Sequence, residues 1–482
     1  MSGYIFVRGA SGKMNGYMVI ALIACLTGCR HSTPLSTQRI ELELPAVWSV
    51  GTSSQSVNKE WWRSFGAPEI EQWVRDALSH NYDLQIAAIR LDRVRTEARM
   101  AGFASRPKLD LSVSGEKRQS SFIGLPFGGS GISRYRYKSY GTSAGFNWEM
   151  DLWGRIRAGH SIARTEAKAV EYELEAARLS IVAQAVRLWV QLAEAQIQER
   201  LAGESVLLLE QTLSQVELRL NAGCGNALNV QQARVSLSEA KSTVVKWRVR
   251  SEKLARSMEL LAGRNPSGTK LAVTELSRLP SPPSVIPAGI PAELLTRRAD
   301  IVAGLARIHA ANLSIAEADA GLLPRVGLTS SVGTSSDELK GLLNGDSLIW
   351  SIGGSLSQAI LFPDEQQARL NSRSLKAEEA VLSYRQKIMT ALHEVEAALN
   401  AGSLLSVQRR HNKVAVENAQ QVLALTDQRF ELGLANAATL LDAQRRLLIS
   451  HSALISVRRA ELESRIDLHL ALGGEISVED AP

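Results

Sequence analysis

"DIVAGLARIHAANLSIAEADAGLLP", residues Asp300–Pro324, decides how the chain is built, because a stretch of the same design, "DLQIAAIRLDRVRTEARMAGFASRP", occupies Asp83–Pro107. Laid over each other without a gap they share Asp83/Asp300, Arg90/Arg307, Ala101/Ala318 and Pro107/Pro324. Each reads as a helix that stops at a proline, which lacks the amide hydrogen a helix interior needs. Four identities carry little alone, and a second pair of segments strengthens the match. "RLNAGCGNALNVQQARVSL" (Arg219–Leu237) and "RFELGLANAATLLDAQRRL" (Arg429–Leu447) align through Arg219/Arg429, Gly223/Gly433, Asn226/Asn436, Ala227/Ala437, Ala233/Ala443 and Leu237/Leu447. The chain is therefore two copies of one plan.

Proline usage draws the boundaries of those copies. No proline lies between Pro126 and Pro266 or between Pro363 and Pro482, whereas six of the 14 fall within Asn265–Leu295. A helix-interior proline costs about 3 kcal/mol, so the free tracts suit long helices and the rich stretch is a linker. In the first tract Ala167, Val170, Leu174, Ala177, Ile181, Ala185, Leu188 and Leu192 recur every three or four residues, a coiled-coil seam. Val416, Ala419, Leu423, Thr426 and Phe430 repeat it in the second. Gly223 and Gly433 sit mid-tract, where a left-handed glycine ends one helix and a following polar residue caps the next. The spacing predicts a signal segment over 1–28, an N-terminal extended segment over 29–60, a first repeat over 61–264, a linker over 265–292, a second repeat over 293–473 and a tail over 474–482.

After each paired proline the period changes from helical to two. Leu109, Leu111 and Val113 alternate, as do Phe146, Trp148 and Met150; Val326, Leu328 and Val332; and Leu348, Trp350 and Ile352. The stretches "QSSFIGLPFGGSGIS" and "TSSDELKGLLNGDS" between them read as hairpin loops. Strands of about ten residues with one apolar face are those of a transmembrane barrel. Four cannot close one, since the smallest have about eight, and an open edge is not tolerated in lipid. Three copies give twelve strands.

The N-terminus fixes the compartment. Arg8 and Lys13 precede "YMVIALIACLTGC", too short for a membrane-spanning helix and ending in small residues, so it reads as an export signal starting at Met1 or Met14. Leu26-Thr27-Gly28-Cys29 resembles a lipobox, which makes Cys29 the acylated first residue of the mature chain; an ordinary signal with an incidental cysteine is the alternative. Of three cysteines, Cys25 leaves with the signal and Cys29 carries lipid, so Cys224 has no partner and no disulfide framework forms.

Enzyme chemistry finds no support. Gly141-Thr142-Ser143-Ala144-Gly145 satisfies G-x-S-x-G, but it lies within an alternating strand, not at a strand-to-helix elbow. His393-Glu394 lacks a second histidine at 397, so no metal site is expected. The net charge of +6 comes from Arg and Lys interspersed with Glu along helices, a solvated face and no nucleic-acid patch.

Together these segments carry a resemblance. "FNWEMDLWGRIRAG" resembles the strand-to-helix junction of TolC-like outer membrane efflux proteins, and Gly289–Gly333 resembles the opening of their second half. "WWRSFGAPEIEQWVRDALSHNYDL" and "YRQKIMTALHEVEAAL" fit too, and the lipobox with "PAELLTRRADI" points to the lipoprotein (NodT-type) branch serving resistance-nodulation-division pumps. The resemblance implies a mixed α and β membrane protein, a homotrimer whose twelve-stranded outer-membrane barrel continues into a long periplasmic helical barrel. It implies a passive conduit for an inner-membrane pump and a periplasmic adaptor, with no cofactor besides lipid on Cys29. A protein-secretion channel of the same fold is the alternative; a soluble coiled-coil scaffold would leave the four alternating strands unexplained. The family's R-x-x-x-G motif at the adaptor-facing tips matches Arg219/Gly223 and Arg429/Gly433, although these glycines fit plain helix termination as well. The family's gate carboxylates fall at Asp442, Thr439, Asn229 and Gln232, of which only Asp442 is acidic here. Three such carboxylates per trimer would favour cations; pairing of Asp442 with Arg445 or Arg446 on the helix surface is the alternative.

Overall fold

In the computed structural model, which describes residues 45–49, 60–122, 133–267, 289, 291–358 and 363–473, both halves run through the same succession of elements. The first comprises α1 (Pro68–His80), α2 (Tyr82–Phe103), β1 (Lys108–Phe122), β2 (Ser133–Met150), α3 (Arg155–Asn221) and α4 (Ala227–Leu261). The second comprises α5 (Ala299–Ala320), β3 (Arg325–Ser336), β4 (Leu348–Ser357), α6 (Pro363–Glu431) and α7 (Ala437–Leu472). Helices α3 and α6 have 67 and 69 residues, each about 100 Å long at about 1.5 Å per residue. The export signal, Cys29, most of the Pro-rich linker and the tail lie outside the described residues.

The helices stay together through two equatorial cores. Trp61, Phe65, Ile70, Val74 and Ala77 pack onto the middle of α3, where Trp189 and Val190 are fully buried. Ile301 and Ile308 of α5 pack onto Tyr384, Ile388 and Val395 of α6. Helix α7 belongs to both: Leu462 and Ile466 enter the first, Leu468 and Leu472 the second. Of the seam residues read from the sequence, Ala167, Leu174, Ile181, Ala185, Leu192, Val416 and Phe430 are buried. Arg298 pins the start of α5: its guanidinium reaches Asp300 at 2.8 Å, Glu394 at 2.6 Å and the Ala471 carbonyl at 2.9 Å.

The four strands form one antiparallel sheet in the order β1-β2-β3-β4. Strand β1 runs further than its apolar alternation, since Gln119–Phe122, expected in a loop, still pairs with Ser133–Arg136. A ladder needs only backbone hydrogen bonds and continues where the side chains turn polar. Likewise Thr334, Ser335 and Ser336, expected in the second loop, complete β3, and that loop holds two short 3-10 turns at Leu339–Leu343 and Gly345–Ser347. The long helices leave from the opposite end of the sheet.

Candidate functional site: the sheet faces and the helical tips

Register separates the sheet into two chemically distinct faces. Leu111, Ala144, Val332 and Trp350 form one continuous rung, and Leu109, Phe146, Ser330 and Ile352 the next on the same face. Leu109, Leu111, Val113, Trp350 and Ile352 are at least 70% exposed, which for large apolar residues demands a nonaqueous neighbour. On this face the hydroxyls of Thr142 and Thr334 satisfy each other at 2.9 Å. The other face carries Ser112, Ser143, Ser331, Ser351 and Ser355 with Gly145, Gly327 and Gly353. Its hydroxyls also pair across strands, Ser112 with Ser143 and Ser331 with Ser351, both at 2.8 Å. Small hydroxylated residues leave room and keep a surface wet without binding a passing solute tightly.

Where β2 hands over to α3, Asp151 accepts from the backbone N–H of Ile156 at 3.0 Å and of Arg157 at 2.9 Å. Those are first-turn amides with no partner in their own helix, so the Asp-Leu-Trp-Gly stretch is a capping device between strand and helix. Gly154, at φ 80°, supplies the left-handed bend.

At the far end of the helices the two turns are copies of each other. The Cys224 amide donates to the Arg219 carbonyl at 3.0 Å and the Gly223 amide to the Leu220 carbonyl at 3.0 Å. In the second half the Leu434 amide donates to Arg429 at 2.7 Å and the Gly433 amide to Phe430 at 3.0 Å. This is the Schellman pattern, with Gly223 at φ 78° and Gly433 at φ 73° in the left-handed position. Asn226 then caps α4 through the Leu228 amide and Asn436 caps α7 through the Thr439 amide, each at 2.9 Å.

The side chains of the two tips differ where the backbones agree. Arg219 lies over the Phe430 ring at 3.9 Å and donates to the Phe430 carbonyl at 2.5 Å, so the first-half arginine fastens one tip to the other. The equivalent of Phe430 in the first half is Leu220, and exposed Arg429 has no such partner among the described residues. Composition gave no sign of this link, which pairs residues 211 apart. Replacing Arg219 with methionine should weaken the junction by about 2 kcal/mol, the scale of a cation–π contact plus a charged hydrogen bond. Hydrogen exchange at the Gly433 and Leu434 amides should then speed up roughly 30-fold, while Arg429→Met leaves it nearly unchanged.

Asp442 is held by its neighbours. Arg446 Nε lies 2.6 Å and an Arg445 terminal nitrogen 2.9 Å from its oxygens, and these hydrogen bonds, Arg446's first, hold its carboxyl below the usual range. Each such carboxylate therefore travels with two cations. Thr439 turns its hydroxyl toward Asn436 at 2.8 Å, joining the cap. Asn229 and Gln232 lie on the first turns of α4, both half-buried, and the Gln232 side-chain oxygen has no hydrogen-bond partner among the described residues.

Comparison with known proteins places this architecture. Residues 73–263 and 290–474 match the family described as outer membrane efflux protein. The pyoverdine export outer membrane protein OpmQ of Pseudomonas aeruginosa is 28% identical over 458 residues, covering 94% of this chain and 95% of that protein. The cation efflux system protein CusC of Escherichia coli is 27% identical, covering 93% and 96%. Among solved structures, the outer-membrane channel OprN superimposes with a TM-score of 0.82 at 25% identity, covering 89% of this chain and 97% of that one.

Proposed function

Since the chain belongs to the outer membrane efflux protein family, we propose that it works as a passive trimeric conduit whose helical tips receive cargo from a periplasmic adaptor and an inner-membrane resistance-nodulation-division pump. It is an outer-membrane channel component of an efflux pump. The observation that carries the conduit is the two-faced sheet: apolar and exposed outward, hydroxyl- and glycine-lined inward. Strands β1 and β4 are each paired on one side only, and three chains joined edge to edge close the barrel that lipid requires. Acylation of Cys29 adds an anchor, with about 0.8 kcal/mol contributed by each buried methylene.

The tips, Arg219/Gly223 and Arg429/Gly433, face the adaptor in this reading, and exposed Leu432 and Leu434 flank the second turn. Asp442, Thr439, Asn229 and Gln232 form the narrow end of the conduit. Because Asp442 is matched by Arg445 and Arg446, the belt is cationic by one charge per chain and not an open ring of carboxylates. Asp442→Ala frees both arginines. Planar-bilayer recordings should then show reversal potentials shifted toward anion preference, or a changed open conductance; a mutant matching the wild type in both would remove Asp442 from the gate.

A further inference from the structure

Above its apolar band the outward face of the β1–β2 hairpin turns basic. Lys117 pairs directly with Lys138, and on the next rung of the same face Gln119 pairs with Arg136. These positions share parity with Leu109, Leu111 and Val113 on β1 and with Tyr140, Ala144 and Phe146 on β2, so the three exposed cations point to the side that meets lipid. Arg136 is steadied by its Nε–H, which donates to Gln119 Oε1 at 2.5 Å.

Two lysines opposed across a ladder repel each other. Neither has an ion-pair partner among the described residues, and no outward position of the four strands carries a carboxylate. The inward side of the same hairpin is different, because Arg118 there lies 4.0 Å from Glu116. At this height the inward charges are one of each sign, whereas the outward ones are all positive. Its height is equally defined: Tyr140, opposite Ser336, ends the β2–β3 ladder, and Lys138 stands two residues above it, about 7 Å along the strand. That step leads out of the hydrocarbon layer and into the headgroups.

We propose that Lys117, Arg136 and Lys138 bind the phosphate groups of an anionic lipid headgroup in the outer leaflet. The inference rests on the barrel reading above, with the hairpin ends outside the cell and the helices in the periplasm. Phosphate oxygens accept from ammonium and guanidinium together, and a phosphorylated headgroup, held at that depth by its own acyl chains, removes the repulsion between Lys117 and Lys138.

The test uses the full-length protein purified in mild detergent and bisphosphorylated lipid A as the probe, with binding read by native mass spectrometry and titration. The variant Lys117→Gln/Arg136→Gln/Lys138→Gln should bind roughly 10-fold or more weakly. Lys117→Arg/Lys138→Arg should bind like the wild type, and dephosphorylated lipid A should bind the wild type no better than the triple variant does. Equal lipid binding by wild type and triple variant, both trimeric by light scattering, overturns the site alone. Displacement of the lipid by inorganic phosphate would reassign the cluster to free anions and overturn the lipid as its ligand. A monomeric wild type would remove the barrel reading and this site with it.

Discussion

Trp350→Arg should deplete trimers from the outer membrane, whereas Ser351→Arg, one residue further on, should leave their amount close to wild type. Trp350 lies in the rung Leu111–Ala144–Val332–Trp350, about midway up the outward face, and is 73% exposed. A guanidinium there costs about 2–4 kcal/mol against hydrocarbon at mid-depth. Barrel closure joins three copies, so the penalty enters three times in each assembly. Ser351 faces the other way, where its hydroxyl meets that of Ser331, and an arginine in its place extends into water. The measurement is the heat-modifiable trimer band of outer-membrane fractions, normalised to total protein. Comparable loss in both variants would mean that side-chain size in β4, and not its face, limits assembly, and the assignment of faces would fail.

The faces were legible because period two leaves no ambiguity about which residues share a side. The helical tips were legible for a similar reason: Gly223 and Gly433 mark a left-handed position that glycine adopts without strain, and Asn226 and Asn436 follow at capping distance. Contacts between segments far apart were not legible. Arg219 on Phe430, and Arg298 on Glu394 and the Ala471 carbonyl, each use a charged residue of a type common on these helices. What distinguishes them is a partner that only the fold brings near. The end of β1 was not legible because side-chain alternation reports burial, whereas pairing of Gln119–Phe122 is a backbone property. Asp442 was singled out by the family resemblance, while its pairing was legible in the sequence itself, because Arg445 and Arg446 stand three and four residues on, the spacing at which helix side chains meet.

Acid should loosen the equatorial core through His469. This residue stacks on Trp61 with ring centroids 4.7 Å apart and an interplanar angle of 13°, and it is 7% exposed. Neither ring nitrogen has a hydrogen-bond partner among the described residues. Burial first, and the nearby Arg465 second, push its pKa down to about 4 from an ordinary 6.5. Between those two values the unfolded chain takes up a proton that the folded chain refuses, so the stabilisation, complete above pH 6.5, declines as the pH falls and is gone by about pH 4. Its size is about 3 kcal/mol per chain, at about 1.4 kcal/mol per pH unit. Once charged, the imidazolium needs water, and the Trp61–Phe65 turn packed over it must lift from α7. Glu194 works the other way: burial holds its carboxyl above the ordinary range despite Arg459, so falling pH favours the folded state there. The two are separated by His469→Phe, which keeps the stacking surface and removes the titration. Thermal midpoints of purified trimers at pH 7.5 and pH 4.5 should differ markedly in the wild type and much less in the variant. An acid shift of the same size in both would show that His469 is not the group responsible.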